Sequence, residues 1–262
     1  MLEARGITVE FRRRGGETFR ALDNVSLKAA DGMITGLVGE SGSGKTTLVR
    51  TICGLQKPSS GEVLIDGRDA GEAYAAARRG GGLPVSMVFQ DASGALDPRQ
   101  TALDAVAEAL RVHGLAPRPR IRDEAARLLS TVGLPADVAG RRPGAMSGGQ
   151  CQRVCIARAI APRPAVLIGD EPVSALDVSV QARILKLFAK LLAERANGLR
   201  AILMITHDLA VVSAICDYVY VLERGRIVEH GVPSEMFAAP RHAYTRRLLQ
   251  AASFKYDPAN PV

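Results

Sequence analysis

Aromatic side chains are scarce, at 4% of 262 residues, and the basic residues behind the net charge of +7 are dispersed. Arginines recur at 12–14, 78–79, 118–122, 141–142 and 246–247, with no basic tail and no interleaved aromatics. Nucleic-acid surfaces concentrate positive charge and stacking groups, so these arginines read as solvated surface; the charge alone decides nothing, and no nucleic-acid partner is expected from the chain as a whole. No apolar run approaches the roughly 18–20 residues that span a bilayer. The opening Met-Leu-Glu-Ala-Arg-Gly-Ile has no signal-peptide core, which predicts a cytosolic chain whose membrane role, if any, passes through a partner. The cysteines, Cys53, Cys151, Cys155 and Cys216, form no C-x-x-C pair and have no histidine at zinc-ligand spacing. They read as reduced, small hydrophobic side chains. No internal repeat and no second phosphate-type loop occurs.

What is present is a globular composition, 47% hydrophobic and 23% charged, long enough for a substantial core and for one large domain or two small ones. Short strand-like runs occupy Ile7–Phe11, Phe19–Leu27, Met33–Val38 and Glu62–Ile65, separated by glycine, aspartate and proline turns. Val85–Phe89 is a further short strand. From Leu103 to Ala161 the periodicity turns helical, broken at Pro117, Pro119, Pro135 and Pro143. Ala165–Ile168 and Ala201–Ile205 are continuous apolar runs of the parallel-sheet type. Between them, Ile184, Leu187, Phe188, Leu191 and Leu192 form one helical stripe. Tyr218–Leu222 and Arg226–Val228 read as a hairpin around Glu223-Arg-Gly225.

The segment Gly39-Glu40-Ser41-Gly42-Ser43-Gly44-Lys45-Thr46, followed by Thr47, satisfies G-x-x-x-x-G-K-[ST] between an apparent strand and an apparent helix. Glycines let successive N–H groups face one concavity, and the helix start adds positive potential. Lys45 would reach the β- and γ-phosphates of a nucleoside triphosphate, and the Thr46 hydroxyl would ligate Mg²⁺. A second apolar strand ends in Asp170-Glu171-Pro172. There Asp170 would hold Mg²⁺ through its water shell and Glu171 would polarise the attacking water. Ser147 reads as an N-cap, with Gly148-Gly149-Gln150 leaving a helix start uncovered, a second anion-directed terminus. His207 follows the strand Ala201–Ile205, where it caps a helix or faces phosphate.

Taken together, Gly39–Thr46, Gln90, Ser147–Gln150, Asp170-Glu171, Ser174-Ala-Leu-Asp177 and His207 resemble the nucleotide-binding subunit of an ATP-binding-cassette transporter, in that family's order across nearly the whole chain. The resemblance implies an α/β P-loop NTPase core with an N-terminal antiparallel β subdomain and an inserted helical subdomain near residues 92–161. The cassette would occupy residues 1–250, with a short tail at 251–262. It also implies ATP with Mg²⁺, and a head-to-tail dimer in which each ATP meets the phosphate loop of one subunit and Ser147–Gln150 of the other. In that picture Gln90 senses Mg²⁺ and the γ-phosphate, His207 contacts the γ-phosphate, and Asp177 lines the opposing subunit. Phe11 stands where the family stacks an aromatic on adenine, with Phe19 as the second candidate. Met146 replaces the usual leucine, and Gly169 a larger apolar residue; Cys151 would make the helix start sensitive to thiol reagents.

Three segments, Gln90–Thr101, Glu171–Gln181 and Pro240–Leu249, are similar to the oligopeptide, dipeptide and nickel importer branch. That likeness implies a second, paralogous ATPase subunit, two permeases, an external substrate-binding protein, and a peripheral place on the cytoplasmic membrane face. No cysteine follows Cys216, so the iron–sulfur cluster of longer-tailed members is not expected. Dipeptides or oligopeptides are the cargo this likeness implies first, with nickel or a metal chelate as the alternative. Two rivals of another class also remain open, a nucleic-acid-processing and a translation-associated ATPase. The first would need coiled-coil or DNA-binding insertions and the second a duplicated phosphate loop.

Overall fold

A computed structural model of the chain describes residues 1–12, 16, 18–78 and 81–252. In chain order these form β1 (Leu2–Arg12), β2 (Thr18–Ala29), β3 (Ile34–Val38), α1 (Lys45–Ile52), β4 (Ser60–Ile65), β5 (Arg68–Asp69), α2 (Ala70–Arg78) and β6 (Val85–Val88). Then follow α3 (Ala102–Val112), α4 (Ile121–Thr131), α5 (Gly148–Ile160), β7 (Val166–Asp170), α6 (Val178–Ala193), β8 (Ala201–Thr206) and α7 (Leu209–Ile215). The chain closes with β9 (Tyr218–Glu223), β10 (Arg226–Gly231), α8 (Pro233–Ala238) and α9 (Ala243–Ala252). Sequence readings that touch residues 13–15, 79–80 and 253–262, most of the expected tail included, lie outside the described residues. None of the described helices is long and apolar enough to cross a membrane.

The chain divides into two units, Met1–Glu72 with Ala201–Val262, and Ala73–Arg200. In the first, β1 is central to an antiparallel sheet ordered β2-β1-β4-β5. Alternation puts Leu2 and Ala4 inside and, past a register shift between Ala4 and Ile7, Ile7 and Val9 as well, and Phe11 lies opposite Phe19. β3 pairs in parallel with both β8 and β9, with Leu37 level with Ile205 on one side and Tyr220 on the other. Every residue of β3 and β8 is buried, as continuous apolar runs covered on both faces require. β10 folds back antiparallel to β9. The two sheets are tied where Asp23 N–H donates to Gly225 O at 2.8 Å and Lys28 N–H to Tyr220 Oη at 3.2 Å. One layer of core joins Val38, Val219 and Val221 of the sheet to Leu209 and Val212 of α7, Met236 of α8 and Tyr244 of α9.

In the second unit β6 and β7 pair in parallel, Val85 with Val166 and Met87 with Ile168. The predicted helical stretch resolves into α3, α4 and α5, interrupted where the prolines stand. Thr101 caps α3 by accepting from Asp104 N–H at 3.2 Å. Val106, Leu110, Ala125, Leu128, Val154 and Ile156 are buried on these three helices, which pack on one another. On α6 the buried residues are Ile184, Leu187, Phe188, Leu191 and Leu192, the stripe read from the sequence.

Candidate functional site

β3 delivers the chain at Val38 to a six-residue turn, and α1 starts at Lys45. Gly44 has φ +112°, a left-handed backbone, and a β-carbon there would sit 2.8 Å from Ala21 O and 2.9 Å from Leu22 Cδ2. At Gly39 a β-carbon would overlap Leu222 O and lie 2.7 Å from Ser43 Oγ. Only glycine fits either place. No side chain caps α1, and no acidic residue occupies its first turn, so the helix start presents bare N–H groups and positive potential. Ser43 Oγ is buried with no hydrogen-bond partner. A phosphate group would satisfy such donors, and the residues present fit it. The Lys45 ammonium donates to Gly39 O at 2.6 Å and Glu40 O at 2.9 Å, over the loop's own carbonyls.

In the same unit His207 is exposed just beyond β8. The capping role that the sequence left open for it belongs instead to Asp208, whose carboxylate accepts from Ala210 N–H at 2.8 Å. Phe11 and Phe19 are 40% and 46% exposed and face each other across β1 and β2, so both form one surface aromatic patch rather than core.

In the second unit Asp170 ends β7, half-buried. Glu171 follows at φ +47°, a left-handed backbone uncommon for a glutamate. The turn after it is held by Ser174, whose N–H and hydroxyl both donate to Glu171 O, at 3.3 and 3.1 Å. Gln90 is exposed two residues beyond β6.

Ser147 caps α5 with a full capping box: Gln150 N–H donates to Ser147 Oγ at 3.3 Å and Ser147 N–H to Gln150 Oε1 at 2.9 Å. Gly149 has a second reason to be small. A β-carbon on it would come 2.6 Å from Val180 Cγ1 on α6. Asp177 caps α6, accepting from Val180 N–H at 3.0 Å and the Ser179 hydroxyl at 2.8 Å; these bonds, Ser179's first, hold its carboxyl below the usual aspartate range. The expected thiol sensitivity of Cys151 does not fit its surroundings. It is 1% exposed, and burial pushes its thiol pKa up.

Sequence reasoning passed over Tyr244. Pro240–Leu249 reads from sequence only as a branch feature, whereas the Tyr244 hydroxyl accepts from Glu40 N–H at 2.8 Å. Sequence reasoning also missed Arg158 of α5, which donates to Ala95 O at 2.6 Å.

Residues 22–174 match the sequence model described as ABC transporter. A putative peptide import ATP-binding protein of Brucella ovis is 41% identical over 96% of this chain and 78% of its own. The oligopeptide transport ATP-binding protein OppF of Lactococcus lactis is 42% identical over 92% of this chain and 75% of its own. Among solved structures, a dimeric post-hydrolysis state of the ATP-binding cassette MJ0796 with ADP and Pi superposes with TM-score 0.74 at 30% identity, over 89% of this chain and 99% of that one. CbiO1 of Clostridium perfringens, part of the ABC transporter complex cbiONQ, gives TM-score 0.78 at 27% identity, over 97% of this chain and 94% of that one. The α/β cassette fold expected from the residues is therefore present, and the chain belongs to the ABC transporter family as one of its ATP-hydrolysing, ATP-binding subunits.

Proposed function

We propose that this subunit hydrolyses ATP to drive import of peptides. The cargo reading rests on relatives named for peptide import, since an ATPase subunit does not touch the transported solute. Within the chain, the observation that supports the hydrolytic reading best is the phosphate loop: an uncapped helix start, two positions closed to any β-carbon, and the Lys45 ammonium at its mouth.

The residues at 39–47 cradle the triphosphate, and Phe11, with Phe19 beside it, offers a ring to adenine. Thr46, Asp170 and Gln90 would hold Mg²⁺, an ion that needs only one or two protein carboxylates when phosphate oxygens and water complete its shell. When bound, the ion neutralises charge on the phosphoryl oxygens. Glu171 takes a proton from the attacking water as the water oxygen bonds to the γ-phosphorus. The bond from that phosphorus to the bridging oxygen breaks, giving ADP and phosphate, while Lys45 and His207 steady the charge. Ser147–Gln150 and Asp177 serve the nucleotide held by a second cassette. That cassette is a paralogous subunit, and the pair works beneath two permeases fed by a substrate-binding protein, at the cytoplasmic membrane face. A closing and reopening pair would pass its motion to the permeases through residues 90–99. The single cassette spans residues 1–250, its helical part near 92–161.

Replacing Glu171 by Gln tests the assignment. ATP binding persists while steady-state hydrolysis slows by about two orders of magnitude or more; a near wild-type rate removes Glu171 from the role. Uptake of labelled dipeptide against nickel in cells lacking the subunit tests the cargo, with lost nickel uptake and intact peptide uptake refuting the peptide reading.

A further inference from the structure

We infer that Tyr244 of α9 is a positioning residue for the phosphate loop, acting on Lys45 through the peptide that joins Gly39 to Glu40. This rests on the nucleotide reading above and goes beyond it.

The two groups of that peptide are taken from opposite edges. A trans peptide points its C=O and N–H in opposite directions within one plane. Its N–H, on Glu40, donates to Tyr244 Oη at 2.8 Å. Its C=O, on Gly39, accepts from Lys45 Nζ at 2.6 Å, and the next carbonyl, on Glu40, accepts from the same ammonium at 2.9 Å. An N–H carries one hydrogen. With that hydrogen committed to Tyr244, the plane cannot turn toward phosphate, and the Gly39 carbonyl stays aimed at Lys45. The tyrosine thus fixes the acceptor that anchors the charge at the mouth of the loop.

The hydroxyl is itself held rigidly. Tyr244 is 3% exposed and its ring packs with Val38 at the end of β3 and with Val219, Val221 and Met236. The start of α9 is pinned to β10, where the Glu229 carboxylate accepts from Arg241 N–H at 2.8 Å and His242 N–H at 3.0 Å. Tyr244 N–H donates to His242 Nδ1 at 3.2 Å. The Arg247 guanidinium lies 5.7 Å from the Tyr244 ring centre and pairs with Glu223 at 3.1 Å. Beside this contact a cavity of about 340 Å³ opens between Glu40–Ser43, Glu223, Arg224, Tyr244 and Arg247. Burial also pushes the phenol above its ordinary range.

The test compares Tyr244→Phe with Tyr220→Phe in the full chain. Each removes one hydroxyl that accepts a backbone N–H, from Glu40 in the first case and from Lys28 in the second. Each keeps its ring. Calorimetric titration with MgATP gives a dissociation constant raised about 3- to 10-fold for Tyr244→Phe, the worth of one hydrogen bond, and within about 2-fold of wild type for Tyr220→Phe. Tyr244→Phe raises KM for ATP by a similar factor and leaves kcat unchanged, a split that a general loss of stability does not give. Unchanged or tighter binding by Tyr244→Phe, or equal weakening by both variants, overturns the inference. If the unaltered chain takes up no MgATP, the nucleotide reading itself fails, and this inference with it.

Discussion

A glycine-to-alanine change inside a helix ordinarily stabilises a protein by up to about 1 kcal/mol, because alanine loses less backbone freedom on folding. Gly149, in the first turn of α5, reverses that sign. Its β-carbon would lie 2.6 Å from Val180 Cγ1, about 1 Å inside ordinary contact. Val180 is in the first turn of α6 and half-buried, and a β-branched side chain in a helix has essentially one rotamer, so it cannot swing aside. Overpacking of this kind costs about 1–3 kcal/mol. After the propensity gain, Gly149→Ala is expected to lose about 1 kcal/mol. Val180→Ala alone loses a similar amount, for two half-buried methyl groups. In the Val180→Ala background the clash has gone, and adding Gly149→Ala stabilises by about 0.5–1 kcal/mol. The double-mutant cycle should then give a coupling near 2 kcal/mol, read from urea unfolding at constant m-value. A Gly149→Ala single variant more stable than wild type, or the same effect in both backgrounds, refutes the packing argument.

The remaining expectations concern a turn and the thiols. Ser174→Ala removes one of two bonds to Glu171 O, so kcat should fall about 3- to 10-fold while ATP affinity stays put; an unchanged kcat would show that the hydroxyl does not hold the carboxylate. Burial pushes the Cys155 thiol up to about 11. Iodoacetamide near pH 8 should therefore spare Cys151 and Cys155 in the folded chain and label both after unfolding, as peptide mass spectrometry reads. The raised value also sets a sign for stability. An acid harder to ionise when folded contributes fully below its ordinary value of 9.0 and loses that contribution as pH rises toward about 11.

Legibility in this chain follows the range of the interaction involved. β3 and β8 could be read because burial on both faces leaves an unbroken apolar run, and α6 because one stripe carries all its buried residues. The phosphate loop was legible because glycine spacing, lysine and hydroxyl are local demands of one ligand. α9 was not. Its described buried residues are Tyr244 and Thr245, and Arg246 and Arg247 give it a polar exterior, so no period announces a core helix. Its partner Glu40 is 204 residues away in sequence, a separation no local pattern encodes.

The two reasons for glycine at 149 show the same limit from the other side. Uncovered N–H groups at a helix start are a local reading, open to anyone with the motif, whereas the Val180 contact exists only after α5 and α6 have docked. Glu171 is the sharper case. Its carboxylate and its place after an apolar strand are sequence facts, but its left-handed backbone, which costs roughly 1–2 kcal/mol for an L-residue, is set by the Ser174 bonds to its carbonyl. The undecided choice between Phe11 and Phe19 dissolves for a related reason. The sequence treats them as competitors eight residues apart, while antiparallel pairing makes them cross-strand neighbours. A purine meeting that patch would touch both rings, so removing either one alone should weaken adenine stacking less than removing the pair.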